Sequence, residues 1–165
     1  MNPVVAAILR HPALYNGPRM VKPPAVYVAG LLRALKRGID TEAWTWLMQL
    51  AGQSLFFPPN VAGWDDSRWL DTSTFRGRWY TANYALQPYA ATDKQHVPDD
   101  AHAIVDGALK LLGRPTIRPE TRALLMGFAK GALGGASGWK GKAYPPLVAN
   151  AVRQLLAVSP DLQTS

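Results

Sequence analysis

The 165-residue chain contains no cysteine and only three histidines, and it has no long apolar run. The absence of cysteine excludes disulfides, thiol catalysis and cysteine-ligated metals, and it leaves the redox compartment undetermined. The histidines, His11, His96 and His102, do not have the spacing that places two metal ligands on one helical face. No window approaches the ~18 apolar residues that a membrane-spanning helix needs. We therefore predict no metal site, no cofactor and no membrane span.

Acidic residues are also scarce, since 11 Asp and Glu stand against 18 Lys and Arg, which gives a net charge of +7. The resulting positive field attracts anions. However, the basic residues are scattered along the chain without a dense run, and no nucleic-acid-binding module is recognisable. We interpret these residues as a solvated helical surface and predict no specific nucleic-acid binding.

The remaining composition is that of one folded domain. With 48% hydrophobic and 18% charged residues, the chain is too apolar to be disordered. Helical periodicity recurs between prolines and glycines, whereas no alternating strand pattern of useful length is present. The sequence predicts an all-α fold, an irregular bundle of six or seven helices with a long aromatic-rich loop, in a single domain over residues 1–165.

Prolines tolerated in a first helical turn, and side chains able to accept hydrogen bonds from free backbone amides, mark the predicted helix starts. These starts are Pro23 or Pro24, Asp40, Thr72 or Ser73, Asp99 or Asp100, Pro119 and Pro146. The apolar stripes that follow predict the core-facing side chains. Those side chains include Phe75, Trp79, Ala82, Leu86, Leu124, Leu125, Phe128, Ala129, Leu147 and Val148.

Residues 55–84 form the most distinctive segment, because they hold half of the sixteen aromatic residues together with two prolines, two glycines and three aspartates. No periodic element explains this mixture. It is typical of an irregular segment that aromatic side chains pin to a bundle before a helix begins. Trp64, which follows Gly63, is expected to fold back and anchor this segment.

The string Pro-Pro-Asn-Val-Ala-Gly-Trp at residues 58–64, followed by Trp69 and Asp71-Thr72-Ser73-Thr74, resembles the bacterial domain-of-unknown-function 1800 family. Weaker similarities cover most of the chain in order. The family has no established biochemical activity to transfer. The resemblance implies that the chain is the C-terminal part of a longer bacterial protein, that the N-terminal region of that protein is a partner, and that its members are often exported.

Six residues of the aromatic segment are candidate ligand-binding residues: Asn60, Trp64, Asp65, Asp66, Trp69 and Asp71. Aromatic rings beside carboxylates are typical of saccharide sites, and paired carboxylates can cleave glycosidic bonds. The same oxygens suit a cation, although no EF-hand spacing is present. The favoured interpretation is structural, in which the aspartates accept hydrogen bonds from turn and helix-start amides and the tryptophans pack the loop onto the bundle.

Residues 134–142 form a glycine-rich stretch with two lysines. Its spacing fits neither a phosphate-binding loop nor a nucleophile elbow. We interpret it as a mobile loop between helices, with anion or partner binding as the alternative.

These observations predict a non-enzymatic binding or assembly module of the bacterial envelope, with no catalytic residue assigned. Its expected partners are the N-terminal region of the same protein or another envelope protein. The alternative is a glycan-binding or glycan-hydrolysing site built on the aromatic and aspartate residues of the loop.

Overall fold

The computed structural model of the protein describes residues 2–17, 19–92, 95–135 and 140–164, without the side chains of residues 14–15 and 140–143. Within these ranges the chain is all-α, with no strand and only two isolated bridges, Val21 with Thr164 and Asn60 with Gly63. The predicted fold class is therefore confirmed. The helices are α1 (Pro3–Arg10), α2 (Ala13–Asn16), α3 (Pro24–Ala34), α4 (Ala43–Leu50), α5 (Thr72–Leu86), α6 (Ala101–Leu111), α7 (Pro119–Gly134), α8 (Lys140–Ala157) and α9 (Pro160–Gln163).

Two groups of helices make up the bundle. Helix α4 packs on α5, while α6, α7 and α8 pack on one another. Contacts of α5 with α8 and with α3 join the groups around one core. Within the described residues, α1 has no buried residue, and its main contact is with the single turn of α2. The deeply buried apolar side chains include Trp44, Ala82, Ala85, Val105, Ala129, Val152 and Leu156.

Asp100 caps α6 as predicted, and the cap of α5 is Asp71, which the structural interpretation of the aromatic segment included, rather than Thr72 or Ser73. Asp71 and Asp100 accept hydrogen bonds from the first amides of α5 and α6. The prediction that Asp40 caps α4 is wrong, because α4 begins at Ala43. Asp40 accepts instead from the indole Nε1 of Trp44 at 2.9 Å and from Nε of Arg37 at 2.7 Å.

Helix α5 is rotated relative to the predicted apolar stripe. Ala82 and Leu86 are buried as expected, but Phe75 and Trp79 are 36% and 38% exposed. The cause is Gly77, where a Cβ atom would lie 2.3 Å from the carbonyl group of Leu50 at the end of α4. This close backbone contact turns the glycine edge of α5 toward α4, and the bulky side chains two positions away move to the surface.

Two predictions for the last long helices are also wrong. Helix α8 begins at Lys140 rather than Pro146, and it carries Pro145 and Pro146 inside its second turn. Leu124 of α7 and Leu147 of α8 were expected in the core, yet they are 76% and 62% exposed. Phe128 of α7, also expected in the core, is 41% exposed, whereas Leu125 and Val148 are buried as predicted. Most of the predicted glycine-rich loop, residues 136–139, lies outside the described residues.

Candidate functional site

A cleft of about 450 Å³ lies between the end of α4, the segment of residues 51–71 and the start of α5. We call it the aromatic cleft. It contains four of the six predicted site residues, Trp64, Asp65, Trp69 and Asp71, whereas Asn60 and Asp66 do not line it. The other lining residues are Gln49, Gly52, Ser54, Phe57, Pro59, Arg68, Ser73 and Thr74.

Asp71 is the N-cap of α5. Its Oδ1 accepts hydrogen bonds from the backbone amides of Ser73 and Thr74, both at 2.9 Å, and from their hydroxyls at 2.8 and 3.0 Å. These bonds, that from the Thr74 amide first, lower the pKa of Asp71 to about 2. The carboxylate is therefore ionised at neutral pH, and one of its two oxygens is fully engaged by the helix start.

Three further polar residues of the segment serve its turns or face solvent. Oδ1 of Asp65 accepts from the amide of Ser67 at 3.1 Å, which starts the 3-10 turn Asp66–Arg68. Oδ1 of Asn60 accepts from the amide of Ala62 at 2.8 Å. Asp66 is exposed. The predicted structural interpretation accordingly describes Asp65 and Asp71, and no convergent set of free carboxylates faces the cleft within the described residues.

The two tryptophans of the cleft differ in burial. Trp69 is 8% exposed and Trp64 is half-buried, so Trp69 is the deeper anchor. Gly52 makes room for it, since a Cβ atom there would lie 3.2 Å from Cδ1 of Trp69. The indole N–H groups of Trp64 and Trp69 are buried without a hydrogen-bond partner among the described residues. A buried indole N–H normally has a hydrogen-bond acceptor, which the protein, an ordered water molecule or a ligand supplies.

An exposed apolar tip adjoins the cleft. Phe56 is 93% exposed, Phe57 is 79% exposed, and Val61 is fully exposed. Phe56 also has a φ angle of 60°, in the left-handed region that aromatic residues rarely adopt. We call Phe56, Phe57 and Val61 the aromatic tip. Phe57 belongs to both features, because it also lines the cleft.

Arg78 is a buried charge that sequence reasoning missed. Its side chain is inaccessible to solvent, and it donates to the carbonyls of Trp69 and Lys22 at 2.9 and 2.7 Å and to Oε1 of Gln163 at 2.9 Å. It therefore ties the floor of the cleft to both ends of the chain. Burial lowers the pKa of Arg78 to about 10, so it stays protonated at neutral pH.

Asp161 forms a second buried centre. Its side chain is 1% exposed and accepts from Thr121 Oγ1 at 2.5 Å, from Arg118 Nε at 2.9 Å and from Arg19 Nη1 at 3.4 Å. Burial alone raises the pKa of this carboxyl, but the hydrogen bonds from Thr121 and Arg118 outweigh it, and the net pKa is lowered. Neither Asp161 nor Arg78 has a sequence signal beyond its place beside apolar residues, because their partners are distant in the chain.

The histidines stand apart from these centres. Nδ1 of His11 accepts from the amide of Ala13 at 3.2 Å, and His96 and His102 are exposed. Among the described residues, no group of three histidine or acidic side chains is placed to hold a metal ion. None of the helices in this part of the chain is both long and apolar enough to cross a membrane.

Comparison with known proteins gives one match. The model of a family described as "Protein of unknown function (DUF1800)" matches residues 1–164. No curated protein and no solved structure shows significant similarity to the chain. Because the family match covers all but the last residue, the chain belongs to the DUF1800 family.

Proposed function

We propose that this protein is a non-enzymatic binding or assembly module of the bacterial envelope, and that the aromatic tip and the adjoining cleft form its binding surface. The observation that carries the proposal is the exposure of Phe56 and Phe57, at 93% and 79%, beside a cleft walled by two indoles. Aromatic side chains on a surface of this kind are enriched where proteins bind one another.

The backbone of the tip supports this role. A left-handed φ at Phe56 costs about 1–2 kcal/mol relative to a glycine, and nothing in the protein interior is gained from it, because the ring is in solvent. Backbone strain concentrates at binding and switch regions, where the surrounding structure holds it in place. We therefore attribute the backbone strain at Phe56 to a contact that its ring makes with a partner in an assembly.

The carboxylates argue for binding rather than catalysis. A glycosidase needs one carboxyl whose pKa is raised so that it can donate a proton. The pKa of Asp71 is lowered to about 2, which is the opposite direction. Asp65 is exposed and occupied by the amide and hydroxyl of Ser67. A proton donor for glycoside hydrolysis is missing from this pair.

The compartment and the partner rest on the family resemblance. Members of the family are often exported, which favours the envelope. The expected partner is then the N-terminal region of a longer family protein, or another envelope protein with an apolar segment. That partner would cover the aromatic tip.

A glycan is the second candidate ligand, and the shape of the cleft favours it. Trp64 and Phe57 offer aromatic surface, while Gln49 and the 72% exposed side chain of Arg68 offer polar groups on the same walls. Saccharides bind in this way, with apolar faces on aromatic rings and hydroxyls on polar side chains. Hydrolysis is not part of this second candidate, because neither Asp65 nor Asp71 is placed as the proton donor that the reaction needs.

One set of variants tests both candidates. Phe56→Ser/Phe57→Ser removes both rings of the tip and leaves Val61, and the control Ile39→Ser removes a similarly exposed apolar residue outside the tip, since Ile39 is 86% exposed. We expect the parent to bind an environment-sensitive hydrophobic dye and the tip variant to lose clearly more of that signal than the control does. The difference between the two variants measures the contribution of the tip, because the other exposed apolar side chains, such as Trp46, are present in both.

A glycan array of the parent and of Trp64→Ala completes the test. The assembly proposal expects no array signal. A positive array signal that Trp64→Ala abolishes, while circular dichroism shows that the variant keeps the fold, would replace the assembly proposal with the glycan site. Equal dye binding by the tip variant and the control would remove the aromatic tip from the proposal.

A further inference from the structure

A second cavity, of about 230 Å³, lies between α3, the C-terminal end of α6 and α9. We call it the α3 pocket. Tyr27 and Leu31 of α3 supply part of its apolar wall, and Leu112 and Leu162 supply another part. Lys22 is its charged lining residue among those described. The pocket shares no lining residue with the aromatic cleft, so it is a separate site that the proposed function does not use.

The pocket opens to solvent along one side of α3. Val26 is 52% exposed, and Gly30, one helical turn later, is exposed as well. A Cβ atom built at Gly30 would meet no atom within 4 Å, so packing inside the described part of the chain does not require a glycine there. The glycine leaves the mouth of the pocket open to a small ligand.

The ammonium group of Lys22 lies at the edge of the pocket. Its Nζ donates to the carbonyl of Leu162, which also lines the pocket, at 3.1 Å. An ammonium has three N–H donors, so donors remain for a ligand. Among the described residues no carboxylate lies within ion-pair distance of Lys22. Burial lowers the pKa of Lys22, and the nearby charge of Arg19 lowers it further, as expected for a cation without a counter-ion.

Positive charge exceeds negative charge at this end of the pocket. Arg19 and Arg118 both pair with Asp161, at 3.4 and 2.9 Å, so one buried carboxylate serves two guanidinium groups. Lys22 adds a third cation, close enough to Arg19 for their charges to interact. A ligand with a negative charge would offset this excess of cations.

We propose that the α3 pocket binds a small carboxylic acid with an apolar chain, whose carboxylate pairs with Lys22 and whose chain lies against Tyr27 and Leu31. The volume sets the size of the ligand. An apolar cavity of about 150 Å³ holds benzene, so a cavity of about 230 Å³ holds a chain of about six to ten carbon atoms. A carboxylate fits better than a phosphate, because a phosphate brings three acceptor oxygens and Lys22 is a single donor group.

A chain-length series of alkanoates tests the proposal at the pocket itself. Isotope-labelled methyl groups of Val26, Leu31 and Leu112, followed by NMR, report binding at this site. We expect the affinity to rise about fourfold per methylene and to level off once the chain fills the pocket. Octanol is expected to bind about tenfold more weakly than octanoate, because it lacks the charge that pairs with Lys22.

Lys22→Met tests the role of the charge. The substitution removes the ammonium and keeps the backbone carbonyl to which Arg78 donates. We expect this variant to bind octanoate about tenfold more weakly than the parent does and to bind octanol equally well. Lys130→Met is the control, since it removes an exposed lysine of α7 that does not line the pocket, and it should bind both ligands as the parent does.

Gly30→Leu tests the mouth of the pocket, with Gly127→Leu of α7 as its control. Both glycines are exposed, lie inside helices and have no atom within 4 Å of a built Cβ atom. We expect Gly30→Leu to lose most of its affinity for octanoate and for octanol, because the leucine side chain occupies the mouth, and Gly127→Leu to keep it. Circular dichroism checks that all four variants keep the fold.

The proposal is overturned if no alkanoate shifts the pocket methyl signals in a saturable way. Equal octanoate binding by the two glycine variants also overturns it. So does a Lys22→Met variant that prefers octanoate over octanol as strongly as the parent does. An affinity that keeps rising beyond the chain length that fills the pocket would place binding elsewhere and overturn it as well.

Discussion

The aspartates of two regions differ in how far along the chain their hydrogen-bond partners lie. In residues 51–71, Asp65 and Asp71 accept from amides two or three positions ahead. Asp161 accepts from Thr121 and Arg19, which are 40 and 142 positions away. The local bonds shape turns and a helix start, while the distant bonds tie the ends of the chain to the bundle. Aspartates therefore stabilise local turns and a helix start in one region, and they stabilise the tertiary fold in the other.

The buried network should dominate stability, and Arg78→Ala is its strongest test. Removing this side chain leaves the carbonyls of Trp69 and Lys22 and the amide oxygen of Gln163 without their donor. We expect a loss of about 3–5 kcal/mol, as for other broken buried charge networks, measured by chemical denaturation. Arg76→Ala, on the exposed side of the same helix, is the control and should change stability little. A small loss for Arg78→Ala would mean that the network does not hold the chain ends.

The next largest effect concerns the point where the aromatic segment reaches the core. Trp69→Ala should cost about 3–4 kcal/mol because a buried aromatic loses its transfer energy and leaves a cavity. Trp64→Ala should cost about 1–2 kcal/mol, since its ring is only half-buried. Thermal or urea melts of the two variants measure this difference. The reverse order would make Trp64 the anchor, as the sequence pattern suggests.

The contribution of Asp161 to stability is expected to depend on pH. Its pKa is lowered below the ordinary 3.8, so the folded state binds its proton less tightly than the unfolded state does. Its contribution is therefore complete above about pH 4 and is lost as pH falls through the folded-state pKa. Asp161→Asn should cost about 2–3 kcal/mol at pH 7 and flatten the acid limb of the stability profile. Asp71→Asn is the local control, and its loss should be clearly smaller.

The smallest predicted effect is an increase in stability. Phe56→Gly should raise stability by about 0.5–1 kcal/mol, because glycine adopts the left-handed backbone without the strain that phenylalanine has there. Phe57→Gly is the matched control, and it should lower stability because its φ is not positive. Differential scanning calorimetry resolves both changes. If Phe56→Gly lowers stability as well, the ring has a packing role in the isolated protein and is less available to a partner.

Local signals account for what could be predicted from the sequence. The helical periods gave the fold class, and Asp71 and Asp100 cap helices as their positions suggest. Four of the six predicted site residues share the aromatic cleft because they are close in sequence and one turn gathers them. The prediction failed for the inward face of α5, since the contact of Gly77 with the backbone of Leu50 is made between helices.

The sequence by itself determined that this protein is a helical DUF1800 member with an unusual aromatic segment, because periodicity, caps and the PPNVAGW string are local properties. Only the tertiary structure decided that Arg78 and Asp161 are buried and that Leu124 is not. Burial depends on which faces of the helices meet. A charged side chain enters the interior only where distant carbonyls, amides or carboxylates converge to satisfy it, and no local pattern records that convergence.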